Sequence, residues 1–132
     1  MKNTFDDKLP KTTTYWIEGE IFFIKNTNFF VTLEEGKAMA ELLIFAMQEK
    51  STKAVVIDNR EAKGAWPKEI SQIWETDSRY INVISNKKMA TLTNSAIKTL
   101  QTNRLSMEHG LATSSKAFNS DFNEEVKAFL FG

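Results

Sequence analysis

Two short apolar runs, Ala54-Val55-Val56-Ile57 and Met89-Ala90-Thr91-Leu92, each stop abruptly at polar residues ahead of a helical pattern. Each is too short for a helix and too uniformly apolar for a strand with one wet face, so both read as strands buried on both sides. Upstream, Tyr15-Trp16-Ile17-Glu18 and Ile21-Phe22-Phe23-Ile24 flank Gly19-Glu20 and read as a strand pair, because aromatic and β-branched residues favour a pleated, half-buried surface. Thr32 followed by Glu35 matches a capping box, which predicts a first helix from Leu33 with Met39, Leu42, Leu43, Ala46 and Met47 as its core stripe.

After the strand Lys53–Asp58, a polar loop containing Gly64 leads to Trp66-Pro67, and Pro67 opens a second predicted helix with Ile70, Ile73, Trp74, Ile81 and Ile84 at helical spacing. Its weak point is Asp77–Ser78. Lys88–Thr93 is the next strand, and Asn94 or Ser95 caps a third predicted helix. Ile97, Leu100 and Met107 mark the buried side of that helix, and Gly110-Leu111 is its stop. A strand over Ser115–Phe118 and a helix capped by Asn119 or Ser120 complete the chain, with Phe122, Val126, Phe129 and Leu130 on one stripe.

The order β, β, α, β, α, β, α, β, α predicts an α/β fold with a mostly parallel or mixed sheet. Right-handed crossovers would place the helices largely on one face, as a single wound layer. In such sheets ligands and partners are met beyond the carboxyl ends of the strands, here Asp58-Asn59-Arg60 and Thr93-Asn94-Ser95.

At 132 residues the chain is the size of one domain, with residues 1–13 as a polar lead. Only 5 glycines and 2 prolines argue against a long linker. Lysine plus arginine balances aspartate plus glutamate at 17 each, which removes the summed basic field that draws in nucleic acid or an anionic membrane. A local excess of lysine and arginine between Arg79 and Lys116 reads as a solvated surface. The absence of cysteine excludes disulfides and thiolate chemistry and fits a reducing compartment. An acidic N-terminus without an apolar stretch, and a longest helix-compatible apolar run of only Leu42–Met47, predict a cytoplasmic protein without a membrane span.

Inventory also limits the chemistry. The one histidine, His109, precedes Gly110, where an imidazole suits the carbonyl end of a helix. Neither a zinc site nor a Ser-His-Asp triad can be built from that residue alone. No phosphate-binding glycine motif is present, so neither a nucleotide cofactor nor any other is expected. Glu34-Glu35 and Glu124-Glu125 fall in predicted first helical turns, where they complement the dipole. What remains is a candidate partner- or ligand-binding cluster of Asp58, Asn59, Arg60, Trp66, Thr93, Asn94 and Ser95. Gln101 and Arg104 lie three apart on one helix face beside it. Asp58 and Arg60 could instead pair with each other. A second possibility is an apolar pocket lined by Phe22, Phe23, Phe29, Phe30 and Phe45.

The runs Lys53-Ala-Val-Val-Ile-Asp-Asn-Arg60 and Lys88-Met-Ala-Thr-Leu-Thr-Asn-Ser95, with the ending Lys116-Ala-Phe-Asn-Ser-Asp-Phe-Asn-Glu-Glu-Val-Lys-Ala-Phe-Leu130, resemble the small bacterial STAS-like, or SpoIIAA-like, proteins. The likeness runs from about Tyr15 onward. It implies a (βα) superhelix and a non-enzymatic regulatory or protein-interaction role. In the anti-sigma-factor antagonists of that group, a serine opening the helix after the central strand is phosphorylated, and the added charge switches partner binding. Here that region reads Asp58-Asn-Arg-Glu-Ala-Lys-Gly-Ala-Trp-Pro67, and the nearest serine, Ser71, is deep in the predicted helix, so no phosphosite is carried over. The expected partner is a protein, with a small apolar ligand as the alternative. The edge strand Tyr15–Glu18 would also admit a homodimer.

Overall fold

Gly19 takes a positive φ of 61° while Glu20 does not, the pattern of a type II′ hairpin turn, which glycine adopts without steric cost. The turn joins β1 (Thr13–Glu18) to β2 (Ile21–Asn26) antiparallel, with Glu18 opposite Ile21. These elements belong to a computed structural model in which residues 6–29, 31–63, 87–108 and 114–131 are described. The chain continues through α1 (Leu33–Gln48), β3 (Ala54–Asp58), β4 (Lys88–Leu92), α2 (Ala96–Glu108), β5 (Ser115–Phe118) and α3 (Glu124–Phe131). The sheet is five-stranded, in the order β1-β2-β3-β4-β5. β2 through β5 run parallel and β1 antiparallel, so the sheet is mixed, as expected.

The pleat divides the core in two. Phe22, Ile24, Val55 and Met89 face α1 and pack on its Leu42, Leu43, Ala46 and Met47. Ile21, Ala54, Val56, Ala90, Leu92 and Phe118 face the other way and pack on Val126 and Leu130 of α3. Adjacent Val55 and Val56 are both fully buried, on opposite sides of the sheet. The expectation from uniform apolarity therefore holds for β3. The expectation of one layer of helices does not, because α1 and α3 cover opposite faces. The handedness rule constrains only helices that join two parallel strands, and α3 follows the last strand, so the open face is available to it.

A second correction concerns α2. Ile97, Leu100 and Met107, expected on its buried side, are 67%, 70% and 70% exposed. Among the side chains described, the partly buried positions are Lys98, Thr99, Thr102 and Asn103 instead. β5 is the last strand of the sheet and presents its backbone to this helix. The Asn103 side chain accepts from the Ala117 N–H at 2.7 Å and donates to the Ala117 carbonyl at 3.2 Å. Burying an edge requires hydrogen-bonding groups more than apolar ones, and Asn103 supplies them here.

Helix ends follow local chemistry. The Thr32–Glu35 capping box forms, with Glu35 N–H donating to Thr32 Oγ1 at 3.1 Å and Thr32 N–H donating to Glu35 Oε1 at 2.8 Å. The Ser95 hydroxyl oxygen accepts from Lys98 N–H at 3.3 Å and starts α2. At α3 the cap is Asn123, which accepts from Val126 N–H at 3.1 Å, rather than Asn119 or Ser120. Phe122 immediately before it lies beneath the Lys127 ammonium, 5.5 Å from the ring centre. Lys87, grouped by sequence with a solvated basic surface, turns inward and donates to the carbonyls of Ala46 and Glu49 and to Thr52 Oγ1 at 2.9, 2.5 and 2.7 Å. Burial pushes its pKa down, against the pull of the Glu49 charge.

The second predicted helix, with Trp66, Pro67 and Ser71, and the expected stop at His109-Gly110-Leu111 lie outside the described residues. Among the described residues no helix is long and apolar enough to cross a membrane.

Candidate functional site

Four parallel strands end at the same rim, which brings the chain segments after β2, β3, β4 and β5 together. Asp58 is the last residue of β3, and Arg60 folds back over it in a fork. Nε of Arg60 donates to Asp58 Oδ1 at 3.0 Å and Nη2 to Oδ2 at 2.9 Å, while the Arg60 N–H also reaches Oδ1 at 3.1 Å. The remaining arm of the guanidinium extends to Asp121 Oδ1 at 3.3 Å, in the loop that leads into α3. Arg60 thus ties the end of β3 to the loop after β5, across the end of β4. The planar fork of arginine allows one side chain to hold two carboxylates at once.

Burial alone would raise the Asp58 carboxyl. The Arg60 hydrogen bonds and charge together outweigh it and hold the carboxyl below its ordinary value. Arg60 is raised in turn, first by its hydrogen bond to Asp58. Alongside, Lys25 and Glu61 form an exposed ion pair at 2.5 Å, and that bond raises Lys25.

Asn94 donates from its side chain to the Arg60 carbonyl, which fastens the loop after β4 to the same turn. The Asn59 N–H continues the β3–β4 ladder to the Leu92 carbonyl at 2.9 Å. Its side-chain oxygen accepts from Asn26 at 2.9 Å, and Asn26, 4% exposed, accepts from the Thr13 hydroxyl at 2.8 Å. A polar chain thereby links β1 and β2 to the residue after β3, with buried Thr13 and Asn26 bonded to each other. Thr93 extends the β4–β5 ladder through Phe118 and meets the Thr99 hydroxyl at 2.6 Å, and the Thr99 hydroxyl also donates to the Ser95 carbonyl at 2.8 Å.

Of the residues singled out from sequence, Asp58, Asn59, Arg60, Thr93, Asn94 and Ser95 are brought to this rim. Trp66 lies outside the described residues. Gln101 and Arg104 are exposed, and Gln101 sits ~9 Å further along α2 than Ser95 at the ordinary helical rise. Sequence reasoning missed Asp121, Asn26 and Thr13. Only the strand-end position of Asn26 could have signalled its role.

Chemically, the rim is a connected set of hydrogen bonds whose carboxylate is already neutralised. Both oxygens of Asp58 are engaged by Arg60, and the Ser95 hydroxyl oxygen serves as a helix cap. The phenylalanines proposed as a pocket do not share one. Phe22 is buried under α1 with Phe45 edge-on to it at 5.9 Å, whereas Phe23 stands on the opposite face against Phe122. Phe30 lies outside the described residues. No protein-family model matches this chain, and a search of curated proteins finds none similar to it.

Proposed function

We propose that the protein is a STAS-like interaction module, a regulatory protein that works by binding another protein at the carboxyl-end rim of its sheet. The observation that carries this reading is the Arg60 bridge. A guanidinium 37% exposed at its side chain is held in a fixed orientation between Asp58 and Asp121 at the mouth of the sheet. An oriented, partly exposed arginine is a frequent anchor in protein interfaces, because little further ordering is needed when a partner arrives. The consecutive strand order of β2 to β5 also fits the superhelix that the sequence resemblance implies. Trp66, six residues after Arg60 in the sequence, would supply the aromatic part of the contact.

The test is affinity capture from extracts of the host cells, comparing the native protein with two variants. Trp66→Ala removes the aromatic anchor, while Asp58→Asn combined with Arg60→Gln removes both charges together and leaves neither alone. Both should lose a partner that the native chain retains while keeping its circular dichroism. Undiminished capture by both variants rules out this rim as the contact surface.

A further inference from the structure

A guanidinium holds its N–H donors in one plane, and at Arg60 the two aspartates use them unequally. Nε and Nη2 form the fork that faces Asp58, which closes both bonds at 3.0 and 2.9 Å. Nη1 and Nη2 form a second fork at the far end of the group. Among the described residues that end receives a single oxygen, Asp121 Oδ1 at 3.3 Å from Nη1, where the two oxygens of a carboxylate fit.

Exposure separates the two acids further. The Asp58 side chain is 13% exposed and that of Asp121 is 87% exposed. Asp58 is a fixture of the strand end, whereas Asp121 holds Arg60 by a surface ion pair of the kind that competing ions readily exchange. Arg60 stays oriented without Asp121, because the Asp58 fork and the Asn94 bond to the Arg60 carbonyl remain.

We propose that Asp121 is an internal stand-in for a carboxylate of the partner. An aspartate or glutamate side chain of the partner protein displaces it and closes the far fork of Arg60 with two bonds. This deepens the reading of the rim as a contact surface and rests on it. Charge decides between a carboxylate and a phosphate. Asp58 stays at the site and the displaced Asp121 stays in the adjacent loop, so a singly charged acid meets less repulsion than a phosphate carrying nearly twice the charge.

The test uses acetate as the probe and follows the side-chain N–H signals of Arg60 in NMR spectra of the full chain at neutral pH. Chloride is exchanged for acetate so that ionic strength stays constant. A saturable shift is expected in the native protein. Asp121→Asn should bind acetate roughly 1.4- to 5-fold more tightly, the worth of an exposed ion pair that no longer competes. Glu124→Gln removes a nearby negative charge that pairs with Lys127 and not with Arg60, and it should leave the affinity unchanged. The absence of a saturable shift up to molar acetate overturns the proposal. So does an Asp121→Asn affinity no tighter than the native one, or equal tightening in both variants, which would make the effect one of net charge. A tighter response to inorganic phosphate than to acetate overturns the choice of a carboxylate. No partner enters this measurement, so the fork can fail while the rim still captures a protein, and capture can fail while the fork binds acetate.

Discussion

Asn103 grips Ala117 by both backbone polar groups, doing with one side-chain amide what a sixth strand would do with its main chain. Ala117 is 2% exposed, so neither group has ready access to water if the amide is removed. Asn103→Ala should destabilise the fold by about 1–3 kcal/mol, the cost of leaving buried backbone groups unpaired. Asn103→Asp keeps the acceptor for the N–H but sets a carboxylate oxygen against the Ala117 carbonyl, and it should cost at least as much. Urea midpoints of the three proteins check both expectations. An Asn103→Ala midpoint equal to that of the native chain would show that the edge is satisfied by other means.

The Asp58–Arg60 fork has a pH signature. Folding lowers the Asp58 pKa, so the unfolded chain binds the proton more tightly than the folded one. The stabilising contribution is complete above about pH 4, the ordinary aspartate value, and it is lost as pH falls through the lower folded value. In Arg60→Ala the opposing influence of burial is left, and the carboxyl should move above the ordinary value. A carboxyl-carbon NMR titration of Asp58 in the two proteins reads this directly. The same direction of shift in both would mean that Arg60 is not what holds the carboxylate ionised.

Lys87 closes the carbonyl end of α1 from a position 38 residues beyond Glu49. A cation at that end of a helix opposes the partial negative charge of the last carbonyls. Lys87→Met keeps most of the stem and removes the donors to Ala46, Glu49 and Thr52. A loss of about 1–3 kcal/mol is expected, with faster amide exchange in the last turn of α1. The matched control is Lys53→Met. That lysine is 70% exposed at its side chain and, among the described residues, pairs with exposed Glu20 alone, so its loss should stay within about 0.5 kcal/mol.

Much of the frame was legible because its signals are local. The capping box at Thr32 and Glu35, the turn at Gly19 and the two-sided burial of Val55 and Val56 each depend on residues a few positions apart. The start of α3 was misplaced because Asn119, Ser120 and Asn123 can all cap a helix. The choice is made where Phe118 is held in the strand and Asp121 is engaged by Arg60, 61 residues away in sequence. The rim was located by the strand-end rule, which placed Asp58, Arg60 and Asn94 correctly. Their bonds to Asp121 and to one another depend on strand order and register, which no periodicity encodes. The inward turn of Lys87 is hidden for the same reason.

The exposed stripe of α2 gives the sharpest contrast between pattern and packing. Read by periodicity, Ile97, Leu100 and Met107 are core, and replacing them should cost several kcal/mol together. In the structure each is at least two-thirds exposed, and among the side chains described the partly buried ones are Lys98, Thr99, Thr102 and Asn103. The triple variant Ile97→Gln, Leu100→Gln, Met107→Gln should therefore unfold within about 1 kcal/mol of the native chain, since exposed substitutions seldom exceed a few tenths each. Its solubility should rise, because an apolar patch is removed from the surface. Thr99→Val, by contrast, should cost about 0.5–1.5 kcal/mol despite its greater apolarity, the worth of the bond its hydroxyl makes to Thr93. The Ser95 carbonyl keeps the Thr99 N–H at 3.0 Å and the Thr93 hydroxyl at 3.2 Å. Chemical denaturation of the two variants side by side decides which face of α2 supports the folded state: a large loss in the triple variant and none in Thr99→Val would reverse the assignment of its inner and outer sides.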